Sequence, residues 1–468
     1  LEDGWRKAHQ HHELLRSAFV LAPTGQPVRV VVEDAPLRWT RTSLLHLYDE
    51  HQRKHLEDFL VQDKQTGFEL DQPALYRVHL FHLGGHDYQF ILSAHHLVLD
   101  GASIFALMSE VFSGAPVAQD AFSTYIAGQE KFHLQREDQQ LWSDLLEPFH
   151  VPVCVADKLA EPSLKPVEHR VFNRRLPATL EQGITGLCGR AGVTIAAVAA
   201  TAWGMALNAI NGGQHQLFGM IVSGRADTGV GLDDIGMYAN TLPIPLALAA
   251  TQSPEVSLQA VSRRIAELLR FESISMNEAL ASTRSRFANG AFDTVLNVET
   301  LADWAVLEAP GVTVELTQVT DLTEFAFAVE VLSGADAITV DFIRDPEYVS
   351  EERAEALCEH FLSALTYICE AHRPLQEWRG WQGVPMVSDE TSAPKDQYPT
   401  SSQHTSFDTM VLAVARAIIG DDTIALQQNF FSSGGDSIGA LQLIARLRSD
   451  GMTIDLDSIF ASRSLSEI

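Results

Sequence analysis

Two largely apolar runs, Tyr76–Phe81 and Tyr88–Leu92, flank the turn signal Gly84-Gly85. That pattern predicts an antiparallel hairpin. From Ala102 to Phe112 the spacing becomes helical, with Ile104, Leu107, Met108 and Val111 on one face. The intervening Ala94-His95-His96-Leu97-Val98-Leu99-Asp100-Gly101 is therefore expected to be a short loop handing a strand over to a helix. Upstream, the pattern predicts a helix over Trp5–Ser17, a strand over Val28–Val32 and a helix over Ser43–Leu60. Phe122–Glu147 reads as a polar helical stretch packed on the periphery of the first lobe, and the proline-bearing Pro148–Pro166 as a crossing to the second half.

The second half repeats the mixture. A strand is expected over Glu168–Leu176, a helix over Pro177–Arg190, and a buried helix over Thr194–Asn211, which is rich in alanine and carries almost no charge. A strand over Gln216–Ser223 follows. Pro243 and Pro245 mark Ile235–Pro245 as a fixed loop or an edge. A helix over Val256–Phe271, a strand over Thr294–Glu299, a hairpin of Val312–Thr320 with Glu324–Leu332, a strand over Ala337–Ile343 and a helix over Ser350–Ala371 complete the half. The fold class expected is α/β, two lobes facing each other across a cleft.

Asp389–His404 is polar, aperiodic and bears Ser, Thr and Pro, as a linker does. Behind it Phe407–Gly420 is amphipathic, with Gly420 as its C-cap, and a helix is expected over Ser437–Ser449 with Ile438, Leu441, Ile444 and Leu447 or Ala445 facing inward. The domains expected are 1–173 and 174–388 for the two lobes, 389–404 for the linker and 405–468 for a small helical domain.

The 468 residues carry 61 acidic and 33 basic side chains, a formal charge of −28. Nucleic acid and anionic membrane both demand a basic face, so neither is expected as a partner. No apolar run approaches the length of a membrane span. Four scattered cysteines in so long a chain form neither a metal motif nor a disulfide framework, and a cytoplasmic, reducing compartment is the simplest one. The opening Leu1-Glu2-Asp3-Gly4-Trp5 reads as helix interior, so further residues are expected before it.

The His-His-x-x-x-Asp loop carries the first candidate chemistry. An imidazole at the mouth of a cleft takes a proton from an attacking amine or hydroxyl at neutral pH. No activated nucleophile stands beside it. Asp100 is expected to brace the loop through a buried ion pair, with Arg225 of Val222-Ser223-Gly224-Arg225 as its partner. On these residues alone an ordinary loop is the plainer reading. Adjacent histidines on extended backbone point in opposite directions, so His95 and His96 are not expected to share a metal ion.

Ser437, in Gly434-Gly435-Asp436-Ser437, stands at the start of an apolar helix. Free N–H groups and the helix dipole there favour a phosphate diester on its hydroxyl. An N-cap serine is the alternative, but Gly434-Gly435-Asp436-Ser437 before an apolar helix and after the paired Phe430-Phe431 is more specific and points to covalent attachment. The lack of a local general base fits a serine modified by another enzyme.

Together, His95-His96-x-x-x-Asp100-Gly101, Val222-Ser223-Gly224-Arg225, Ile235-Gly236-Met237-Tyr238-Ala239-Asn240-Thr241-Leu242, Phe292-Asp293-Thr294-Val295 and Gly434-Gly435-Asp436-Ser437 resemble a nonribosomal peptide synthetase. The resemblance is to a condensation domain over about 1–385 followed by a peptidyl carrier (thiolation) domain over about 406–468. It implies two chloramphenicol-acetyltransferase-like lobes in a V-shaped pseudo-dimer plus an all-α four-helix carrier. It further implies an acyltransferase in which an acceptor amine or hydroxyl attacks a carrier-bound thioester to form an amide or ester.

Carried over by position, His96 would position or deprotonate the acceptor and His95 would support the loop. Asp100, Gly101 and Arg225 would be structural at the active site, and Asn240 would line the substrate tunnel. Ser437 would carry 4'-phosphopantetheine; no metal is implied. Expected partners are other carrier and adenylation domains of the same synthetase and a phosphopantetheinyl transferase. The family's opening motif is absent here, and the carrier stops within its last expected helix. No adenylation domain separates condensation from carrier, an arrangement similar to terminal modules of fungal siderophore synthetases. A non-catalytic docking module that recruits a partner to the carrier and a stand-alone acyl-CoA acyltransferase are the competing expectations.

Overall fold

A computed structural model of the chain describes residues 1–22, 27–114, 122–129, 136–157, 169–225, 231, 234–281, 290–300, 306–309, 311–319, 323–334, 337–370, 372–382, 406–419, 424–428, 430, 443, 446–447, 462 and 464–467. They form two compact units that are not continuous in sequence. The first comprises Leu1–Lys131, Asp227–Ala239 and Val306–Glu315; the second comprises Phe132–Ala226, Asn240–Ala305 and Leu316–Ile468.

In the first unit, helix α1 (Glu2–His11) and a single 3-10 turn (Glu13–Arg16) precede strands β1 (Ser17–Leu21), β2 (Pro27–Val31) and β3 (Trp39–Ser43). Helix α2 (Asp49–Thr66), strands β4 (Tyr76–Gly84) and β5 (Asp87–Ala94), and helices α3 (Gly101–Ser113) and α4 (Phe122–Gln129) follow. The β4–β5 hairpin and α3 lie where the hydrophobic pattern puts them. The helix expected over Trp5–Ser17 is broken instead at His12, whose backbone is extended. Beyond it Ser17 to Leu21 are captured by antiparallel pairing with β2, and Phe19 N–H bonds Leu70 O at 2.7 Å. Helix α2 starts at Asp49 rather than Ser43, because Trp39–Ser43 is taken as a strand, parallel to β4 with Trp39 opposite Val78. The amide of Gln52 fastens the helix start, donating to the carbonyls of Leu44, Leu47 and Leu83 at 3.0, 3.3 and 2.9 Å.

The first unit's core gathers Trp5, Leu14, Leu15, Tyr76, Val78, Leu107 and Val111 together with Ile235 and Tyr238. A two-stranded piece, β10 (Val306–Ala309) with β11 (Val312–Glu315), also belongs to this unit. It corrects the hairpin expected between Val312–Thr320 and Glu324–Leu332. Gly311 supplies the left-handed backbone, φ 78°, that closes the tight turn between Ala309 and Val312.

The second unit starts with α5 (Arg136–Leu146), which lies within the stretch expected to pack on the first lobe. Its Trp142 and Leu146 are buried in the second unit's own core, with Trp142 against Phe271. The later elements are β6 (Arg170–Arg175), α6 (Ala178–Ala191), α7 (Ile195–Asn211), β7 (His215–Val222), β8 (Asn240–Ala247), α8 (Pro254–Leu269), α9 (Met276–Ala279), β9 (Thr294–Thr300), β12 (Phe327–Ser333), β13 (Ile338–Arg344) and α10 (Glu351–Glu370). Six strands make one sheet in the order β6-β13-β12-β9-β7-β8. β8 lies at its edge, where Pro243 and Pro245 remove no ladder bond that a further strand would need. Helix α7 is buried almost throughout, as its lack of charge requires. Its Trp203 is wholly buried, stacks on Phe327 with centroids 5.7 Å apart, and meets Phe361 edge-on. Asp293 accepts the N–H groups of Val155 and Ala156 at 2.9 to 3.0 Å, tying that segment to the start of β9.

In the small domain, α11 (Ser406–Ile419) packs Val411 and Ala415 against Ile424, Leu426, Phe430, Leu443, Leu447 and Leu465. Leu443 and Leu447, four residues apart, share one helical face, whereas Arg446 is exposed. Leu447 was expected to face inward; Leu443 was not. The expected linker and Gly420 lie outside the described residues, as do Leu441 and Ile444. Among the described residues no single helix is long and apolar enough to cross a membrane.

Trp203→Ala is expected to cost the second unit about 3 to 5 kcal/mol, since it deletes a fully buried indole and its stacking partners cannot close the gap. Denaturant unfolding followed by near-UV circular dichroism of full-length variant and parent measures it; a midpoint unchanged from the parent's would show that this core does not depend on the indole.

Candidate active site

The hairpin delivers the two histidines. His95 N–H bonds Leu75 O at 2.9 Å, extending the β4–β5 ladder by one rung, and the chain then turns, with Val98 N–H returning to His95 O at 3.0 Å. Strand alternation sends the His95 side chain to the same face as Ser93 and Arg77, which lie opposite each other across the hairpin. The His95 ring is half-buried and meets Phe68 edge-on at 6.1 Å. Its Nδ1 accepts the Leu97 N–H at 3.1 Å, so in the neutral ring the proton resides on Nε2. Burial, and secondarily the neighbouring His96, hold its pKa below the ordinary histidine value. His96, the next residue, is exposed.

Asp100 ends the loop and caps the helix. Only 2% of it is exposed, and its Oδ1 accepts the Ser103 N–H at 2.8 Å in N-cap geometry. Its Oδ2 accepts the N–H groups of Tyr238 and Ala239 at 3.0 and 3.1 Å. Asp100 N–H in turn donates to Gly236 O at 3.2 Å, and Ser103, wholly buried, donates its hydroxyl to Gly236 O at 2.6 Å and accepts Gly236 N–H at 2.9 Å. Five hydrogen bonds, from Asp100 and the α3 start, thus run to residues more than 130 positions downstream. Gly101 is the first residue of α3.

Residues 235–238 fit this clasp because they are plugged into the first unit's core. Tyr238 is 1% exposed and meets Phe122 and Tyr125 edge-on at 5.4 and 4.9 Å. A Cβ on Gly236 would come within 2.5 Å of both Phe122 and Tyr238, so only glycine allows the approach. Ser103, Gly236 and Tyr238 were missed as site residues by the sequence; the signal available was an Asp followed three residues later by a serine at a helix start, which names the cap but not its distant partner.

The other expected site residues belong to the second unit. Asn240 opens β8, and its side-chain amide donates to Glu272 O and Ile274 O at 2.8 and 2.6 Å while its Oδ1 accepts Thr241 N–H at 2.8 Å. Glu272, 4% exposed, accepts Gly224 N–H at 3.1 Å; Gly224 adopts φ 64° just before Arg225. Arg225 is 6% exposed, with Ser223 O at 3.5 Å from Nη1. Ser437 lies outside the described residues. No cluster of three or more side chains able to hold a metal ion occurs among the described residues.

Residues 1–378 match the family described as condensation domain, and residues 411–468 match the phosphopantetheine attachment site. The chain is 26% identical over 387 residues to chondramide synthase cmdD of Chondromyces crocatus, covering 79% of this chain and 10% of the relative. It is 25% identical over 341 residues to tyrocidine synthase 2 of Brevibacillus parabrevis, covering 69% and 9%. The chain thus spans a tenth or less of the length of these relatives. Among solved structures, it is similar to the first condensation domain of the calcium-dependent antibiotic synthetase, with a TM-score of 0.65 and 20% identity over 80% of this chain and 88% of that one. It is also similar to a four-domain nonribosomal peptide synthetase bound to AMP and glycine, with a TM-score of 0.69 and 16% identity over 97% of this chain and 36% of that one. These likenesses show the fold. The match over residues 411–468 indicates that this domain carries 4'-phosphopantetheine covalently. The chain belongs to the condensation-domain family and joins that domain directly to a phosphopantetheine-carrying domain.

Proposed function

We propose that this chain is the part of a nonribosomal peptide synthetase that joins two acyl units, with His96 at the reacting atoms. The observation that supports this best is the contrast between the two histidines: His95 is half-buried and hydrogen-bonded to its own loop, whereas His96 is exposed at the end of a strand whose loop is clasped by Asp100. Exposure puts the His96 ring within reach of a substrate. A ring nitrogen of His96 takes the proton from the acceptor amine or hydroxyl as its bond to the acyl carbon forms, and returns that proton to the departing sulfur.

Ser437 is the residue that would hold 4'-phosphopantetheine, and when bound the group supplies a thiol on a flexible arm for the acyl unit. The roles of the remaining residues follow from their contacts. Asp100 and Ser103 hold the start of α3 against residues 236–239, and so fix where the His96 loop ends. Asn240 holds the 272–274 turn beside the start of β8. Other carrier and adenylation domains of the same synthetase, and a phosphopantetheinyl transferase that loads Ser437, are the partners this reading requires.

His96→Ala is expected to lower condensation by about 100-fold or more while the variant is still phosphopantetheinylated at Ser437, as intact-protein mass spectrometry after treatment with a phosphopantetheinyl transferase and coenzyme A reports. Full turnover by that variant would end the role given to His96, and loading that persists in Ser437→Ala would move the attachment site. Product formed from free acyl-CoA and never from carrier thioesters would point to a stand-alone acyltransferase.

Asp100→Asn sets an amide NH2 against backbone N–H donors. It is expected to cost on the order of 1 to 3 kcal/mol and to depress turnover even at temperatures where the protein remains folded. Thermal unfolding and single-turnover assays on the same preparation separate the two losses; a variant with parental turnover would contradict the bracing role.

A further inference from the structure

On the face of the hairpin to which the His95 ring turns, Asp63, Ser93, Arg77 and Phe68 make a continuous series of contacts. Arg77 Nε donates to Asp63 Oδ1 at 2.7 Å, Nη2 donates to Asp63 O at 3.0 Å, and Nη1 donates to Gly67 O at 2.5 Å. The guanidinium thus closes the C-terminal turn of α2, where the helix dipole favours a cation. Ser93, the cross-strand partner of Arg77, donates its hydroxyl to Asp63 Oδ2 at 2.5 Å, so both carboxylate oxygens are held. Arg77 and Ser93 also hold the Asp63 pKa below the ordinary carboxylate value against the opposing effect of burial, which keeps the pair ionised at neutral pH.

Fixed from one side by these bonds, the guanidinium lies 4.1 Å from the centre of the Phe68 ring, a cation–π contact. Phe68 then meets the His95 ring edge-on, with centroids 6.1 Å apart and planes at 82°. The His95 Nδ1 accepts the Leu97 N–H, and that bond shapes the turn on which His96 stands. Among the described residues, the titratable and charged groups near His95 are His96 on its own loop and, behind Phe68, Arg77 and Asp63, which His79 on β4 also faces.

We propose that Asp63, Arg77 and Phe68 are positioning residues for the reaction, acting in series on His95 so that its Nδ1 keeps the Leu97 N–H and the loop presents His96 in one orientation. A residue that merely capped α2 would leave the His95 ring unaffected. The inference rests on the role proposed above for His96. Burial of the neutral His95 ring by Phe68 has a signature of its own, because removing that cover admits water and raises the ring's pKa toward the ordinary value.

The test uses full-length protein with 15N-labelled histidine, in which the His95 signals are assigned by their loss in His95→Gln. In Phe68→Leu the His95 titration midpoint is expected to move upward and the Leu97 amide resonance to shift; in Asp63→Asn, which leaves the Arg77 cation without its carboxylate, the Leu97 amide resonance is expected to shift. kcat is expected to fall about tenfold with KM nearly constant, and the acid limb of the kcat profile to move to higher pH in step with the His95 midpoint. The sign follows from which form is active: neutral His95 accepts the Leu97 N–H, so a higher pKa lets protons disable the loop at a higher pH. Phe68→Tyr, which keeps the ring, is expected to restore all four readings. An unmoved His95 midpoint in Phe68→Leu overturns the inference, and so does a moved midpoint with a parental kcat profile. Full turnover by His96→Ala, measured in parallel, overturns instead the reading on which the inference rests.

Discussion

A carboxylate taken out of water must be surrounded by donors or lose its charge, and much of this chain's candidate chemistry depends on how Asp100 meets that requirement. Its donors come from the first turn of α3 and from Tyr238 and Ala239, residues 138 and 139 positions further along the chain. Ser103 repeats the connection with one hydroxyl, donating to and accepting from the same residue, Gly236. The clasp is short because Gly236 has no side chain and because Tyr238 is anchored among Phe122 and Tyr125. Packing makes the segment stiff, and stiffness lets a few polar contacts set the position of the loop.

From that anchor the two histidines acquire opposite surroundings. His95 lies where strand alternation turns it toward Phe68 and Arg77, in a setting that keeps it neutral and hydrogen-bonded to its own loop. His96 is left exposed. The contrast is a consequence of position: one imidazole is bonded to its own loop and the other is exposed, and the proposed roles follow that difference. In the second unit Asn240 and Glu272 form a comparable local knot, in which an amide and a buried carboxylate hold the backbone at the start of β8 and at Gly224. In both places polar side chains act on backbone, which is how loops at the ends of strands are held to a fixed shape.

What the sequence revealed were features of short range. The apolar runs of β4 and β5 about Gly84-Gly85, the helical spacing of α3 and the charge-free stretch of α7 each show locally, and each element stands where its pattern predicts. Which segments pair as strands, whether distant or next in the chain, left no such trace. β3 is a strand because Trp39–Ser43 lies parallel to β4, β1 because it meets β2, and Val312–Glu315 turns back on Val306–Ala309 instead of forward. The site divides in the same way. The two histidines and the capping aspartate were legible as a loop between strand and helix, whereas Ser103, Gly236 and Tyr238 were not, since no local property of residues 235–239 says which carboxylate they will serve. The helices expected around Trp5–Ser17 and Ser43–Leu60 were misjudged at one end by the same cause, a strand formed with a partner elsewhere.

Hydrogen exchange tests the central claim most directly, because the clasp is made of backbone amides. In the intact protein the N–H groups of Ser103, Gly236, Tyr238 and Ala239 are expected to exchange slowly and together, as members of one cooperative unit. In an Asp100→Ala variant that remains folded, all four should lose protection, and the amides of Leu97 and Val98 with them. If Tyr238 and Ala239 keep their protection without the Asp100 carboxylate, the loop is held by something else and the account given for His96 fails with it.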